Sequence, residues 1–135
     1  MYKKSTMKRM IISLFLLFLV TSTVAAQQPD VKTLMSKDLK DNPGKEVVMI
    51  TVEYPPGASS PVHRHDAQAF VSVLEGSIVM QVKGGKEVTL TPGQTFYEGP
   101  DDIHVVDHNA STTKPAKMLV LLVKARGAPL LVPVK

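Results

Sequence analysis

The chain has 135 residues, with 16 Lys and Arg against 12 Asp and Glu, and a formal charge of +4. Four of the positive charges lie within the first nine residues, so residues 27–135 carry twelve positive and twelve negative charges. This neutrality argues against a nucleic-acid partner, which would call for a basic surface. The chain has no cysteine, so neither disulfides nor a cysteine-linked lipid can contribute. The four early charges are Lys3, Lys4, Lys8 and Arg9.

Residues 1–26 have the layout of a secretory signal peptide. A cationic start is followed by an uncharged apolar run at 10–20 and then by small residues that end in Ala25-Ala26. The apolar run is too short for a bilayer span, which needs about 20 residues. We therefore expect cleavage after Ala26 and an exported protein, periplasmic or secreted, that has no membrane attachment once the signal is removed.

Residues 27–135 are expected to form one all-β domain. Segment 31–39 is the only one that could be helical, and Pro43-Gly44 would end it. After it, short apolar and β-branched runs alternate with Gly- and Pro-containing breaks, which is typical of a β-sandwich or barrel. The predicted strands are 46–54, 70–74, 77–82, 87–91, 103–106 and 117–124.

Two details of this pattern lead to further expectations. Gly84-Gly85 predicts a two-residue hairpin, because both residues can adopt positive φ. Segment 118–123 is apolar at every position, so that strand would be covered on both faces. The cover could be a second sheet, an oligomer interface, or a loop or the N-terminal segment.

Three of the four histidines have the spacing of metal ligands. His63 and His65 are two residues apart, which places both imidazoles on one face of an extended strand. His104 lies about forty residues later and also adjoins a predicted strand, so it could complete a site with the first two. His108 would lie far along the same strand face and is expected at the surface. Asp101, Asp102 and Asp107 are expected in a solvated loop, although one of them could orient a histidine.

These histidines and the surrounding glycines resemble the two motifs of the cupin superfamily, which are small jelly-roll β-barrels. The first motif is Gly, five residues, His-x-His, three or four residues, Glu, six residues, Gly. The second ends in His followed by Asn a few residues later. The resemblance spans residues 46–124 and implies a single-domain cupin barrel. The matching residues are Gly57, His63, His65 and Gly76 in the first motif, and Gly93, His104 and Asn109 in the second.

The sequence departs from the first motif at the carboxylate. The Glu position is Ala69 or Phe70, depending on which spacing is counted, so the carboxylate ligand is missing. Gln68 stands one residue earlier, and its amide oxygen could be a weak fourth ligand if the segment after His65 is irregular. The other interpretation of Gln68 is a solvent-exposed side chain on an edge strand.

The resemblance implies one divalent transition metal ion, Fe, Mn, Ni, Cu or Zn, at His63, His65 and His104, with Gln68 as a further candidate. Without a carboxylate, the ion would keep its full positive charge. In the family, comparable sites activate dioxygen or isomerise sugars and enols, so a dioxygenase-like or isomerase-like enzyme acting on a small chelating substrate is expected. A non-catalytic binding or sensing module is the alternative. A homodimer is expected by analogy with the family. The expected pocket-lining residues are Val71, Val73, Met80, Phe96 and Met118.

Overall fold

The computed structural model describes residues 27–135, which form two antiparallel five-stranded sheets that pack face to face. The all-β jelly-roll prediction is confirmed, although the two sheets form a sandwich and do not close into one barrel. The predicted signal peptide, residues 1–26, lies outside the described residues. In residues 27–135, no helix has the length and hydrophobicity of a membrane span.

The first sheet has the order β1-β2-β9-β4-β7, and the second has the order β10-β3-β8-β5-β6. Among the described strands, β1 and β2 and likewise β5 and β6 are neighbours in both sequence and sheet. All other sequence-adjacent strands lie in different sheets, so the chain crosses the sandwich repeatedly. The strands of the first sheet are β1 (Asp30–Asp38), β2 (Lys45–Tyr54), β4 (Ala67–Glu75), β7 (Thr95–Glu98) and β9 (Ala116–Ala125). Those of the second are β3 (His63–Arg64), β5 (Ile78–Val82), β6 (Val88–Leu90), β8 (His104–Asn109) and β10 (Val132–Pro133).

The hydrophobic core lies between the sheets and follows the period-two pattern of the sequence. Along β9 the buried positions alternate with half-buried ones, because alternate side chains point to opposite faces of a strand. The first sheet contributes most of the core and the second sheet closes it with three large residues. The buried core residues include Ile50, Val52, Val71, Val73, Met118, Val120 and Leu122 from the first sheet, and Ile78, Met80 and Leu90 from the second.

Segment 31–39, the only one that the sequence left open as a helix, lies almost entirely in the edge strand β1. β1 pairs antiparallel with β2 from Asp30 opposite Glu53 to Asp38 opposite Glu46, with one irregularity between Thr33 and Met35. Every residue of β1 is exposed. The strand is therefore held by backbone pairing with β2 and not by a buried face, so it lacks the hydrophobic pattern from which a strand could be predicted.

The connection after β5 is also longer than expected. β5 pairs with β6 from Ile78 opposite Leu90 to Met80 opposite Val88, which leaves a loop and not a two-residue turn. Only Gly84 of the glycine pair has positive φ, at 83°. A hydrogen bond from the Gln81 amide to the Gly85 carbonyl supports this loop. The predicted two-residue hairpin is therefore wrong.

A β-bulge in β8 changes which of its side chains face the core. Val106 pairs with Gln81 and His104 pairs with Val82, so Val105 is an extra residue without a partner on β5. An extra residue reverses the alternation beyond it. Asp107 consequently points inward with His104, whereas His108 is only half-buried on the other face. The expected alternation in β8, with His104 and His108 on one face, is thus corrected.

Candidate metal centre

The three predicted histidines meet between the two sheets. His63 on β3 lies directly opposite His104 on β8, and His65 follows on the same inward side. The imidazole centroids of His63 lie 4.8 Å from His65 and 5.0 Å from His104. His63 and His104 belong to the second sheet, and His65 directly follows β3. Pairing between β3 and β8 therefore brings together side chains that are about forty residues apart.

Glu98 supplies a carboxylate that sequence analysis did not identify. It ends β7 in the first sheet and is 2% exposed. One ligand atom from each of Glu98, His63, His65 and His104 lies within 4.8 Å of the others. The site thus joins three imidazoles on or directly beside strands of the second sheet to a carboxylate of the first.

The position of Glu98 explains the alanine in the first motif. Ala69 on β4, one of the two motif positions for Glu, is paired directly with Glu98 on β7. Opposed residues of neighbouring strands point to the same face, with Cβ atoms about 5 Å apart. The buried Ala69 leaves space beside it, and the carboxylate enters that space from the adjacent strand. The strand-forming residues Thr95, Phe96 and Tyr97, between Pro92-Gly93 and Gly99-Pro100, were the sequence signal for β7.

Gln68 does not reach the cluster. It lies between the buried Ala67 and Ala69 on β4 and is exposed, which places it on the outer face of the first sheet. β4 continues its ladder with β9 through this segment, with Gln68 paired to Val123. The expected irregularity after His65 does not extend to this position, so alternation holds and the expectation that Gln68 faces the site is corrected.

Backbone carbonyls orient two of the histidines. The Nδ1 atom of His63 lies 2.7 Å from the Pro61 carbonyl oxygen, and that of His65 lies 2.6 Å from the Leu130 carbonyl oxygen. A neutral imidazole that donates Nδ1–H to a carbonyl presents the lone pair of Nε2 on its other side. This arrangement is the usual support for a histidine that binds a metal through Nε2.

The atoms at the centre of the cluster have the chemistry of a metal site. Nδ1 of His104 lies 2.9 Å from Oε1 of Glu98, yet neither atom has a hydrogen-bond partner of acceptable geometry in the described chain. Buried polar atoms without partners are costly and require an explanation. Two ligand atoms about 3 Å apart can both contact an ion that lies about 2.1 Å from each. The residues therefore suit a divalent transition metal.

The electrostatics of the cluster favour an ionised carboxylate. Burial raises the pKa of the Glu98 carboxyl, but the close approach of the His104 and His65 imidazoles outweighs it and lowers the pKa to about 2. Burial lowers the pKa of His63. For His65 the effect of burial is outweighed by Glu98, and its pKa is raised. With one carboxylate in the set, a divalent ion would retain a single net positive charge, which corrects the expectation of a fully charged ion.

A mostly apolar cavity of about 270 Å³ adjoins the cluster. Val71 and Met118 line it as expected, whereas Val73 and Met80 belong to the core and Phe96 stacks on His104 with centroids 6.1 Å apart. The buried Tyr54 hydroxyl and the Asp107 carboxylate add a polar wall. The further lining residues include Gln28, Val31, Ile50, Val52, Ser60, Val120, Leu130 and Leu131.

Three acidic residues of the second motif have different surroundings. Asp107 was expected in a solvated loop, but it is 6% exposed and lines the cavity, which the β8 bulge explains. Asp102 accepts a hydrogen bond from the Gly99 backbone amide at 2.6 Å, and Asp101 is exposed. Asn109 has a structural role, because its buried amide donates to the carbonyls of Tyr54, Pro55 and Lys114.

A β-sandwich with three histidines and a carboxylate converging between its sheets defines a protein of the cupin class. The family profile described as Cupin domain matches residues 50–122, more than half of the chain. The chain therefore belongs to the cupin family, as the motifs predicted. No curated protein matches the chain.

Solved structures support the fold. The DMSP lyase DddQ from Ruegeria pomeroyi DSS-3 superposes with a TM-score of 0.63 at 19% identity, over 79% of this chain and 52% of that protein. An uncharacterised conserved protein with a double-stranded β-helix domain from Klebsiella pneumoniae superposes with a TM-score of 0.62 at 17% identity, over 82% of this chain and 88% of that protein. The polyketide cyclase RemF from Streptomyces resistomycificus superposes with a TM-score of 0.62 at 22% identity, over 82% of this chain and 73% of that protein. The chain spans about half the length of the DddQ lyase.

Proposed function

We propose that this protein binds one divalent transition metal ion, Fe, Mn, Ni, Cu or Zn, through His63, His65, Glu98 and His104. The observation that carries the proposal is the convergence of these four side chains, with Glu98 Oε1 and both ring nitrogens of His104 buried and lacking a hydrogen-bond partner in the described chain. Imidazole and carboxylate ligands together suit these ions. Four protein ligands leave positions open for a ligand on a six-coordinate ion.

The adjoining cavity supports a small molecule as the partner of this site. Its walls are mainly aliphatic, and its volume of about 270 Å³ limits it to a compact ligand. A bound ion would act there as a Lewis acid or would activate dioxygen. We infer a dioxygenase-like or isomerase-like enzyme for a small chelating substrate, because an open metal position beside a partly enclosed cavity is the arrangement that catalysis needs. The solved neighbours include a lyase and a cyclase, which indicates that this fold is compatible with catalysis.

Metal analysis of the purified protein tests the metal site. We expect about one equivalent of a transition metal in the unmodified protein, and loss of most of it in His63→Ala and His104→Ala. Retention of stoichiometric metal in both variants would contradict the site. Oxygen consumption by metal-loaded protein with catechols, flavonols, 1,2-diketones and thiols then tests oxygenase activity, and an aldose–ketose panel tests isomerisation. Inactivity across both panels would favour a binding module.

We also propose that residues 1–26 are removed during export and that the metal is acquired outside the cytoplasm. The cationic start, the apolar run and the Ala25-Ala26 ending support this proposal. N-terminal sequencing of protein recovered from the exported fraction should give Gln27 as the first residue. A mature chain that still begins near Met1 would contradict it.

Self-association is proposed through the outer face of the first sheet. Phe70 and Tyr97 are 46% and 50% exposed there and pack at 5.3 Å between centroids, next to the half-buried Leu119 and Leu121. Exposed aromatic clusters of this kind are typical of interfaces. We propose that a second copy of this chain covers this face. Because residues 27–135 have no formal net charge, two copies would not repel each other through net charge. Sedimentation should give a dimer, and Phe70→Ser with Tyr97→Ser should give a monomer.

A further inference from the structure

Asp107 is a buried acid in the cavity that does not belong to the metal cluster. Its exposed fraction is 6%, and the β8 bulge turns it to the same inward face as His104. With Val105 as the extra residue, the two positions are separated by one repeat of the pleat, roughly 7 Å along the strand. The carboxylate therefore lines the same cavity as the cluster but at a distance from it.

The carboxylate of Asp107 has one hydrogen-bond donor among the described residues. The Tyr54 hydroxyl lies 2.7 Å from each carboxylate oxygen, and its single proton is shared between them. An ionised carboxylate offers about four acceptor positions, so most of them are unused. Burial and the charge of Asp107 raise the pKa of Tyr54 well above 10, which keeps the phenol protonated as a donor.

A buried carboxylate with unused acceptor positions is stabilised by a further donor or by a cation. Among the described residues, no lysine or arginine lines the cavity. The basic groups that line it are histidines, which the metal site would occupy. A ligand that carries a cationic donor would fill these acceptor positions.

We propose that Asp107, held in place by Tyr54, is the second anchor of the cavity and binds the ammonium group of a short amino carboxylate, whose carboxylate end reaches the metal cluster. This proposal rests on the proposed metal site. A divalent ion, Glu98 and Asp107 together carry no net charge, so a zwitterion with its negative end at the ion and its positive end at Asp107 is complementary to the cavity. Ile50, Val52 and Val120 line the cavity and would contact the methylene groups between the two ends.

The experiment uses full-length zinc-loaded protein and two matched ligand pairs, 3-aminopropanoate with propanoate and 4-aminobutanoate with butanoate. Calorimetric titration should show at least one amino ligand binding about tenfold or more tightly than its partner, the effect of one hydrogen bond to a charged group. In Asp107→Asn the preference should fall to within about twofold, with zinc content and propanoate affinity unchanged. Asp101→Asn changes an exposed acid six residues earlier in the chain; it is the control and should keep the preference.

Three results would overturn the proposal. If the unmodified protein bound both members of each pair equally, the anchor role of Asp107 would be contradicted, while the proposed metal site would still stand. If Asp107→Asn kept the preference for the amino ligand, a group other than Asp107 would be responsible for that preference. Protein that takes up no zinc and binds none of the ligands would overturn the metal site and the anchor together, and the zinc measurement distinguishes this case from the first two.

A second measurement does not depend on the folding of a variant. In a crystal structure of the unmodified zinc-loaded protein with the tighter amino ligand, the ammonium nitrogen should lie within hydrogen-bond distance of the Asp107 carboxylate. An ammonium group directed to Gln28 at the cavity mouth would contradict the proposal.

Discussion

Glu98 is the residue on which the proposed centre depends most. It is the only member of the four that comes from the first sheet, and its Oε2 atom lies 3.6 Å from His65 Nε2 while Oε1 faces His104. Two imidazoles on one carboxylate hold the pKa of Glu98 at about 2 against the effect of burial, which would raise it. The carboxylate is thus ionised and ready to bind a cation throughout the physiological pH range.

Replacing Glu98 by Ala should weaken metal binding by more than about a hundredfold, the upper end of the loss that follows removal of an outer-shell partner of a metal ligand. The affinity can be measured by competition with a chelator of known strength. Gln68→Ala is the matched control on the outer face of the same sheet, and we expect it to leave affinity unchanged. A normal affinity in Glu98→Ala would exclude Glu98 as a ligand.

The pairing of Ala69 with Glu98 offers a rescue experiment. Because the two side chains point to the same face from neighbouring strands, Ala69→Glu in the Glu98→Ala background returns a carboxylate to nearly the same place. We expect recovery of a substantial part of the lost metal affinity, measured by the same competition. Failure of the double variant to regain any affinity, in protein with unchanged circular dichroism, would mean that the two positions are not equivalent.

Among the individual site residues, the three histidines could be predicted from their spacing and motif order, and the structure brings them together. Glu98 could not be found from the motif, because strand pairing and not chain distance places it beside Ala69. Asp107 could not be found either, since the bulge at Val105 reverses the alternation on which a residue-by-residue prediction relies. Both omissions arise from register, which a single sequence does not reveal.

At the level of the secondary-structure elements, the turn between β4 and β5 has the least space for a side chain among the described glycine positions. Gly76 has a φ of 67°, and a Cβ atom built there would lie 2.5 Å from the Pro115 carbonyl oxygen and 2.9 Å from the Ala116 Cα. Both contacts are to backbone, which cannot move aside as a side chain can. The motif glycine is therefore required for close approach to the segment that begins β9, in addition to its positive φ.

Gly76→Ala should lower the free energy of unfolding by about 3 kcal/mol or more, because left-handed strain and overpacking add together. Gly84→Ala is the matched control: its φ is 83°, but a Cβ there has no atom within 4 Å. It should cost only about 1 kcal/mol. Urea denaturation measures both, and similar losses for the two variants would show that the close contact at Gly76 has no energetic effect.

The central strands could be predicted because they carry a repeating apolar pattern. The predicted 46–54 and 117–124 differ from β2 and β9 by at most one residue at each end. β1, β3 and β10 could not be predicted in this way. β1 is exposed at every residue, and the other two have two residues each, so they form through pairing with a neighbour that only the folded chain provides.

At the scale of the whole molecule, a partly buried ion pair connects the strands at one edge of the first sheet. Lys124 on β9 is 3% exposed and donates to Glu46 Oε1 on β2 at 2.5 Å and to the Ala128 carbonyl at 2.6 Å. Glu46 also accepts from Ser36 on β1 and from the Gly127 amide. One carboxylate therefore joins three strands and the loop that follows β9.

This carboxylate should make the protein sensitive to acid. Hydrogen bonds from Lys124, Gly127 and Ser36 lower the pKa of Glu46 to about 2, against 4.5 as its ordinary value. Because the folded-state pKa is the lower one, the stabilisation is complete above pH 4.5 and is lost as the pH falls towards 2. Glu98, also with a pKa of about 2, contributes in the same window when no metal is bound.

Glu46→Gln should therefore be less stable than the parent near neutral pH, and its free energy of unfolding should fall less steeply between pH 4.5 and 2. Urea titrations of the metal-free parent and variant at several pH values in this range give the slope of the free energy of unfolding against pH for each protein. Glu87→Gln, an exposed loop acid, is the control and should retain the parent slope. Parallel curves for Glu46→Gln and the parent would contradict the assignment.

The distribution of the four candidate ligands over both sheets has a consequence for folding. An ion held by three histidines of one layer and Glu98 of the other would act as a removable cross-link through the middle of the sandwich. An ion that binds only the folded chain adds about 2.7 kcal/mol when its free concentration is a hundred times the dissociation constant. The folded fraction would then report how much metal the surroundings supply, and a chain that emerges into a metal-poor compartment would remain more open to proteolysis than the same chain beside a ready source of the ion.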